Sequence, residues 1–104
     1  MGLADYLRDS LDKIGAVEVA LIFGSVAKNV EDMRSDVDLL VIGDIDLDAL
    51  NQAVDEAERA IGREINPTVY TRDEWSSRVA SGQAFATDVL SGPKIFLIGS
   101  DDEL

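Results

Sequence analysis

Residues 37–42, Val-Asp-Leu-Leu-Val-Ile, carry apolar side chains on both faces of an extended chain: Val37, Leu39 and Val41 on one, Leu40 and Ile42 on the other. A strand of this kind has no face to offer to water, so it reads as the central strand of a covered sheet. Its acids stand at the leading end. Asp36 and Asp38 are alternate residues, so in a strand they project together, about 7 Å apart along the chain. A second hydrophobic run, Val17–Phe23, comes earlier and stops at Gly24-Ser25, a turn whose free backbone N–H groups and hydroxyl can face an anion.

Around these runs the pattern turns helical. Leu3, Tyr6, Leu7, Leu11 and Ile14 recur at helical spacing, and Gly15 stops that helix before the first strand. Asp46 can cap a helix running to about Ile61, with Leu47, Leu50, Val54, Ala57 and Ile61 on one face and Gly62 at its end. The Asp44-Asp46-Asp48 run has Ala49 where a calcium loop needs its sharp-turn glycine, so a capped helix start is the better reading. Residues 63–70 form a third strand, in which Pro67 removes a ladder donor and calls for an edge or a bulge. Thr71-Arg72-Asp73-Glu74 fits a capping box for a helix carrying Trp75 and Val79. After Gly82, Phe85, Val89 and Leu90 suggest a further helix ending near Gly92-Pro93, and residues 94–99 a last strand before an acidic tail.

The expected fold class is α/β (α+β): one domain over residues 1–104, with a small mixed sheet and helices packed mainly on one face. Zero Cys excludes thiol chemistry, and zero His excludes imidazole catalysis and the commonest zinc ligand. Carboxylate plus metal is what remains. A net charge of −12 argues against nucleic acid as a partner, since like charges repel and no basic surface would release counterions. The same acidity suits either a halophilic source, where salt screens self-repulsion, or ordinary acidic solubility. No run approaches the roughly 20 apolar residues needed to cross a bilayer, and the first residues mix acids and bases, so the expected location is cytoplasmic.

Gly24-Ser25, a gap from Val26 to Ser35, and Asp36-Val37-Asp38 together resemble the signature of the polymerase-beta nucleotidyltransferase superfamily, and the order of elements resembles its minimal domains. The resemblance implies a Mg²⁺- or Mn²⁺-dependent transfer of a nucleoside monophosphate, AMP from ATP, to an acceptor. On it, Gly24, Ser25 and Lys28 hold phosphates, and Asp36 and Asp38 bind the metal. The acceptor it implies is a small helical (HEPN-like) protein partner in a toxin–antitoxin pair, and the short chain leaves room for a second copy as well. Lys28-Asn29 stands where relatives have Arg-Gly; Asn tolerates a left-handed backbone, and Lys keeps the charge without the bidentate fork.

A second departure bears on turnover. Aligning Ile65-Asn66 with the family's hydrophobic-Asp pair puts a neutral amide at the third carboxylate position, and Glu64, on the same strand parity, has the length to reach back. The alternatives are therefore an active transferase, a nucleotide-binding or regulatory module without turnover, and an interaction subunit using neither metal nor nucleotide. Tyr70 and Trp75 read either as base-stacking groups or as packing.

Overall fold

The computed structural model describes residues 2–24 and 36–104. Helix α1 (Leu3–Asp12) leads into strand β1 (Val17–Phe23); then come β2 (Val37–Gly43), α2 (Leu47–Ile61), β3 (Ile65–Tyr70), α3 (Arg72–Ala80), α4 (Ala84–Ser91) and β4 (Lys94–Ile98), followed by a 3₁₀ turn at Asp101–Glu103. The sheet order is β3-β2-β1-β4, with β1 antiparallel to both its neighbours and β2 parallel to β3. The class is the expected one, a mixed sheet with helices, and β2 is indeed interior.

The layering differs from the expected cover mainly on one face. Ala20, Ile22, Leu39, Val41 and Leu97 pack under α1 and α2 with Leu7, Leu11, Leu50, Val54 and Ala57. Val19, Leu21, Leu40 and Ile42 pack on the opposite face under α3 and α4 with Trp75, Ala86 and Val89. The physical reason lies in β1 and β2 themselves: both alternating sets are apolar, and each such side chain gains about 1.5–3 kcal/mol only if it is buried. One helical layer would leave half of that unmet.

Local signals hold where they are covalently short-range. The Asp46 carboxylate accepts from the N–H groups of Asp48 and Ala49 at 3.0 and 3.4 Å, and Gly62 closes α2 in a left-handed conformation. Thr71 and Glu74 form the reciprocal capping box of α3. Leu47, expected on the buried stripe of α2, is instead 57% exposed: it is the first residue of the helix, and burial on that stripe begins one turn later at Leu50. Pro67 sits on the edge strand. Since the Glu64 carbonyl accepts from Val37 N–H at 2.8 Å, residues 64, 66 and 68 turn their backbone toward β2, and Pro67 turns its missing donor outward.

Two tertiary ties were not legible in advance. Arg8 of α1 donates through Nε to the Leu97 carbonyl at 2.9 Å, pinning the helix to β4. The residues after β4, expected as an acidic tail, are docked: Trp75 Nε1–H donates to the Leu104 carbonyl at 3.0 Å, and Arg72 Nη1 to that of Glu103 at 2.7 Å. Trp75 is fully buried and stacks at a tilt on Tyr70, 5.9 Å between centroids, so both aromatics are packing groups.

Candidate functional site at the leading end of the central strands

The antiparallel pairing of β1 with β2 and β4, and the parallel pairing of β2 with β3, bring the end of β1 beside the starts of the other three strands. A single row crosses the sheet there: Asn66 pairs with Asp38, Asp38 with Phe23, and Phe23 with Lys94. Laterally paired residues share a face, so this row lies on the face covered by α3 and α4, the one occupied by Leu40, Ile42 and Phe96 deeper in. Asp38 is half-buried and Asn66 exposed.

Gly24 directly follows Phe23 of this row. Its φ of +76° is in the left-handed region, and a β-carbon placed on it would lie 2.8 Å from Oδ2 of Asp38. Glycine is required twice there, for the dihedral and for the space. The backbone of the turn and the Asp38 carboxylate are thus in direct contact, with no side chain between them. Asp36, exposed, immediately precedes β2. Glu64, also exposed, lies alongside it through the hydrogen bond from Val37 N–H to the Glu64 carbonyl. Ser25 and Lys28 lie outside the described residues. Structure therefore brings together Gly24, Asp38 and Asn66, with Asp36 and Glu64 at the margin.

Inward from the row the same face is aromatic. Phe23 meets Phe85 edge-on at 5.4 Å, and Phe85 lies 6.2 Å from Tyr70, whose ring carries the Arg78 guanidinium at 4.7 Å. These partly buried rings pack along the same face of the sheet, from the row at Phe23 to Tyr70 at the far end of β3. Among the described residues no group of three or more Asp, Glu, His or Cys side chains converges to hold a metal, and the donors here are the Asp38 carboxylate and the Asn66 amide of the row, with the Asp36 carboxylate at its margin. All are hard oxygens, which suits Mg²⁺ or Mn²⁺ and not a thiolate-loving metal.

The sequence model of the polymerase beta nucleotidyltransferase family matches residues 6–75, a span containing the glycine turn, both aspartates and Asn66. The chain belongs to that family. No curated protein sequence matches the chain. Among solved structures, the nucleotidyltransferase fold recurs in a toxin–antitoxin MntA–HpeT complex carrying two Asp-to-Glu substitutions, at 12% identity and TM-score 0.65 over 99% of this chain and 77% of that one. A toxin–antitoxin structure with AMP-PNP superimposes at TM-score 0.64 and 18% identity, over 96% and 76% of the two chains. A tri-AMPylated HEPN toxin of Shewanella oneidensis in complex with its MNT antitoxin gives 0.54 and 12%, over 96% and 76%. At these identities the likeness is one of fold.

For a nucleotidyltransferase domain the notable member of the row is Lys94. Sequence reading registers it only as the first residue of a strand; no motif marks it, because its place beside the site depends on β4 pairing with β1. Among the described residues no helix is long and apolar enough to cross a membrane.

Proposed function

We propose that the chain transfers AMP from ATP to a hydroxyl of a protein partner, in the manner of an antitoxin that modifies its toxin. The observation that carries this reading is the contact of the Gly24 turn with the Asp38 carboxylate at one end of a rigid sheet, within a nucleotidyltransferase-family domain. The neighbours add direction: one holds AMP-PNP, and another is a complex of an antitoxin with an AMPylated HEPN toxin.

In this reading Gly24, with Ser25 and Lys28 after it in sequence, receives the phosphates, because a side-chain-free turn lets backbone N–H groups approach an anion closely. Asp36 and Asp38 hold Mg²⁺, with Asn66 offering its carbonyl oxygen. The ion, when bound, offsets triphosphate charge and lowers the pKa of the attacking hydroxyl. The hydroxyl oxygen bonds to the α-phosphorus in line, the bond to the bridging oxygen breaks, pyrophosphate leaves and the hydroxyl proton passes to water. The small sheet supplies little acceptor surface, so a helical HEPN-like partner, or a second copy, provides it. On this reading the reaction runs in the cytoplasm, where ATP is supplied.

A second reading has its own observation. Asn66 stands in register with Asp38 where a carboxylate would support a second ion, so nucleotide binding persists while transfer is slow, as in a regulatory module. Incubation with α-labelled ATP, MgCl₂ and a HEPN-type partner separates the two. Transfer of label to the partner, falling at least about 100-fold in Asp38→Ala, supports the enzyme, since even outer groups around a metal ligand are worth that much. Binding of AMP-PNP without transfer supports the module.

A further inference from the structure

We propose that Lys94 is a nucleotide-binding residue that takes the charge of the two distal phosphates, on the flank of the Gly24 turn opposite Asp38; this rests on the nucleotidyl-transfer reading above. Phe23, the residue before Gly24, pairs with Asp38 on one side and with Lys94 on the other. The turn is therefore flanked by a carboxylate and an ammonium on the same face of the sheet. Two strand spacings separate Asp38 from Lys94, about 10 Å between backbones, so the two charges stand on either side of the β1 end without pairing with each other.

The ammonium is already held in place. It donates to the carbonyls of Leu90 and Gly92 at 2.9 and 3.0 Å, at the C-terminal end of α4 where the helix dipole is negative. An ammonium has three donors, and the third finds no acceptor among the described residues. That arrangement fixes the charge at low entropic cost and leaves one donor for a ligand. Charge balance gives the reason for a phosphate. The chain carries −12 overall and the row carries Asp38, so a triphosphate meets repulsion unless cations sit beside it; Lys94 is the cation of the row. On the transfer reading the reacting α-phosphorus lies by the ion that Asp36 and Asp38 would hold, and in the proposed arrangement the distal phosphates run past Gly24 toward β4.

The test compares AMP-PNP and AMP binding, each with MgCl₂, in wild type, Lys94→Gln and Lys94→Arg. Loss of one charge-assisted hydrogen bond to phosphate should weaken AMP-PNP about tenfold in Lys94→Gln, leave AMP within about twofold, and be largely restored in Lys94→Arg. A purely structural role through the α4 carbonyls would weaken both nucleotides equally, and that result overturns the proposal. A second measurement needs no variant: acetylation of the Lys94 amine in wild type, followed by peptide mass spectrometry, should slow with AMP-PNP and not with AMP. Equal labelling with and without AMP-PNP overturns it. A wild-type chain that binds no AMP-PNP removes the transfer reading and this proposal together, whereas normal binding untouched by Lys94→Gln overturns the role of Lys94 alone.

Discussion

Gly24 and Asp38 touch in a way that only glycine permits: a methyl group at position 24 would approach Oδ2 of Asp38 to 2.8 Å, on a backbone whose φ is already +76°. The turn that ends β1 and the acid that starts β2 are one structural unit. A change at either is felt at the other.

Gly24→Ala should therefore separate stability from function. The left-handed backbone costs about 1–2 kcal/mol, roughly 5–10 °C in melting temperature for a domain of this size. The nearest atom is the far end of a side chain, so the clash is relieved by moving the carboxylate. That displacement should lower AMP transfer about 100-fold, the effect of a misplacement near 1 Å. Thermal melts and turnover on the same preparation check it, and a variant with normal turnover would contradict the contact's role.

Asn66→Asp places a third carboxylate in register with Asp38. Without metal, two like charges side by side on adjacent strands should cost up to about 1 kcal/mol. Millimolar MgCl₂ or MnCl₂ should more than restore the loss, raising the melting temperature further than in wild type. If the amide limits turnover, AMP transfer rises about tenfold with the charge. An Asn66→Asp protein whose melting is indifferent to divalent ions would show that residue 66 lies outside the metal's reach.

Glu74 connects pH to the start of α3. Its carboxyl is held below the usual range, first by the backbone N–H of Thr71, then by the Thr71 hydroxyl, with Arg78 nearby adding attraction. A lowered folded pKa means the contribution is complete above the ordinary glutamate value of 4.5 and fades as pH falls through the lower, folded value. Wild-type melting temperature should thus decline on acidification below about pH 4.5 more steeply than that of Glu74→Gln. Thr71→Ala, which loses the cap itself, should cost about 1 kcal/mol near neutral pH.

Much of this was readable along the chain because the relevant physics is local. The Asp46 cap, the Gly62 stop and the Thr71–Glu74 box depend on residues within one turn of each other, and all three form as read. Pro67 told the edge, since a missing N–H is tolerated only where no strand asks for it. Leu47 misled because periodicity reports which side of the helix a residue is on and not at which turn burial begins. Ser25 and Lys28, read as phosphate partners, lie outside the described residues.

What residues 37–42 determined alone was a strand buried on both faces, with acids at its start; alternation and the cost of wet hydrocarbon suffice for that. What only the tertiary structure decided was company. Asn66 beside Asp38, Lys94 two strands away and the rings packed along the same face are set by strand order and register, which arise from the packing of distant segments against one another and leave no mark at any single position.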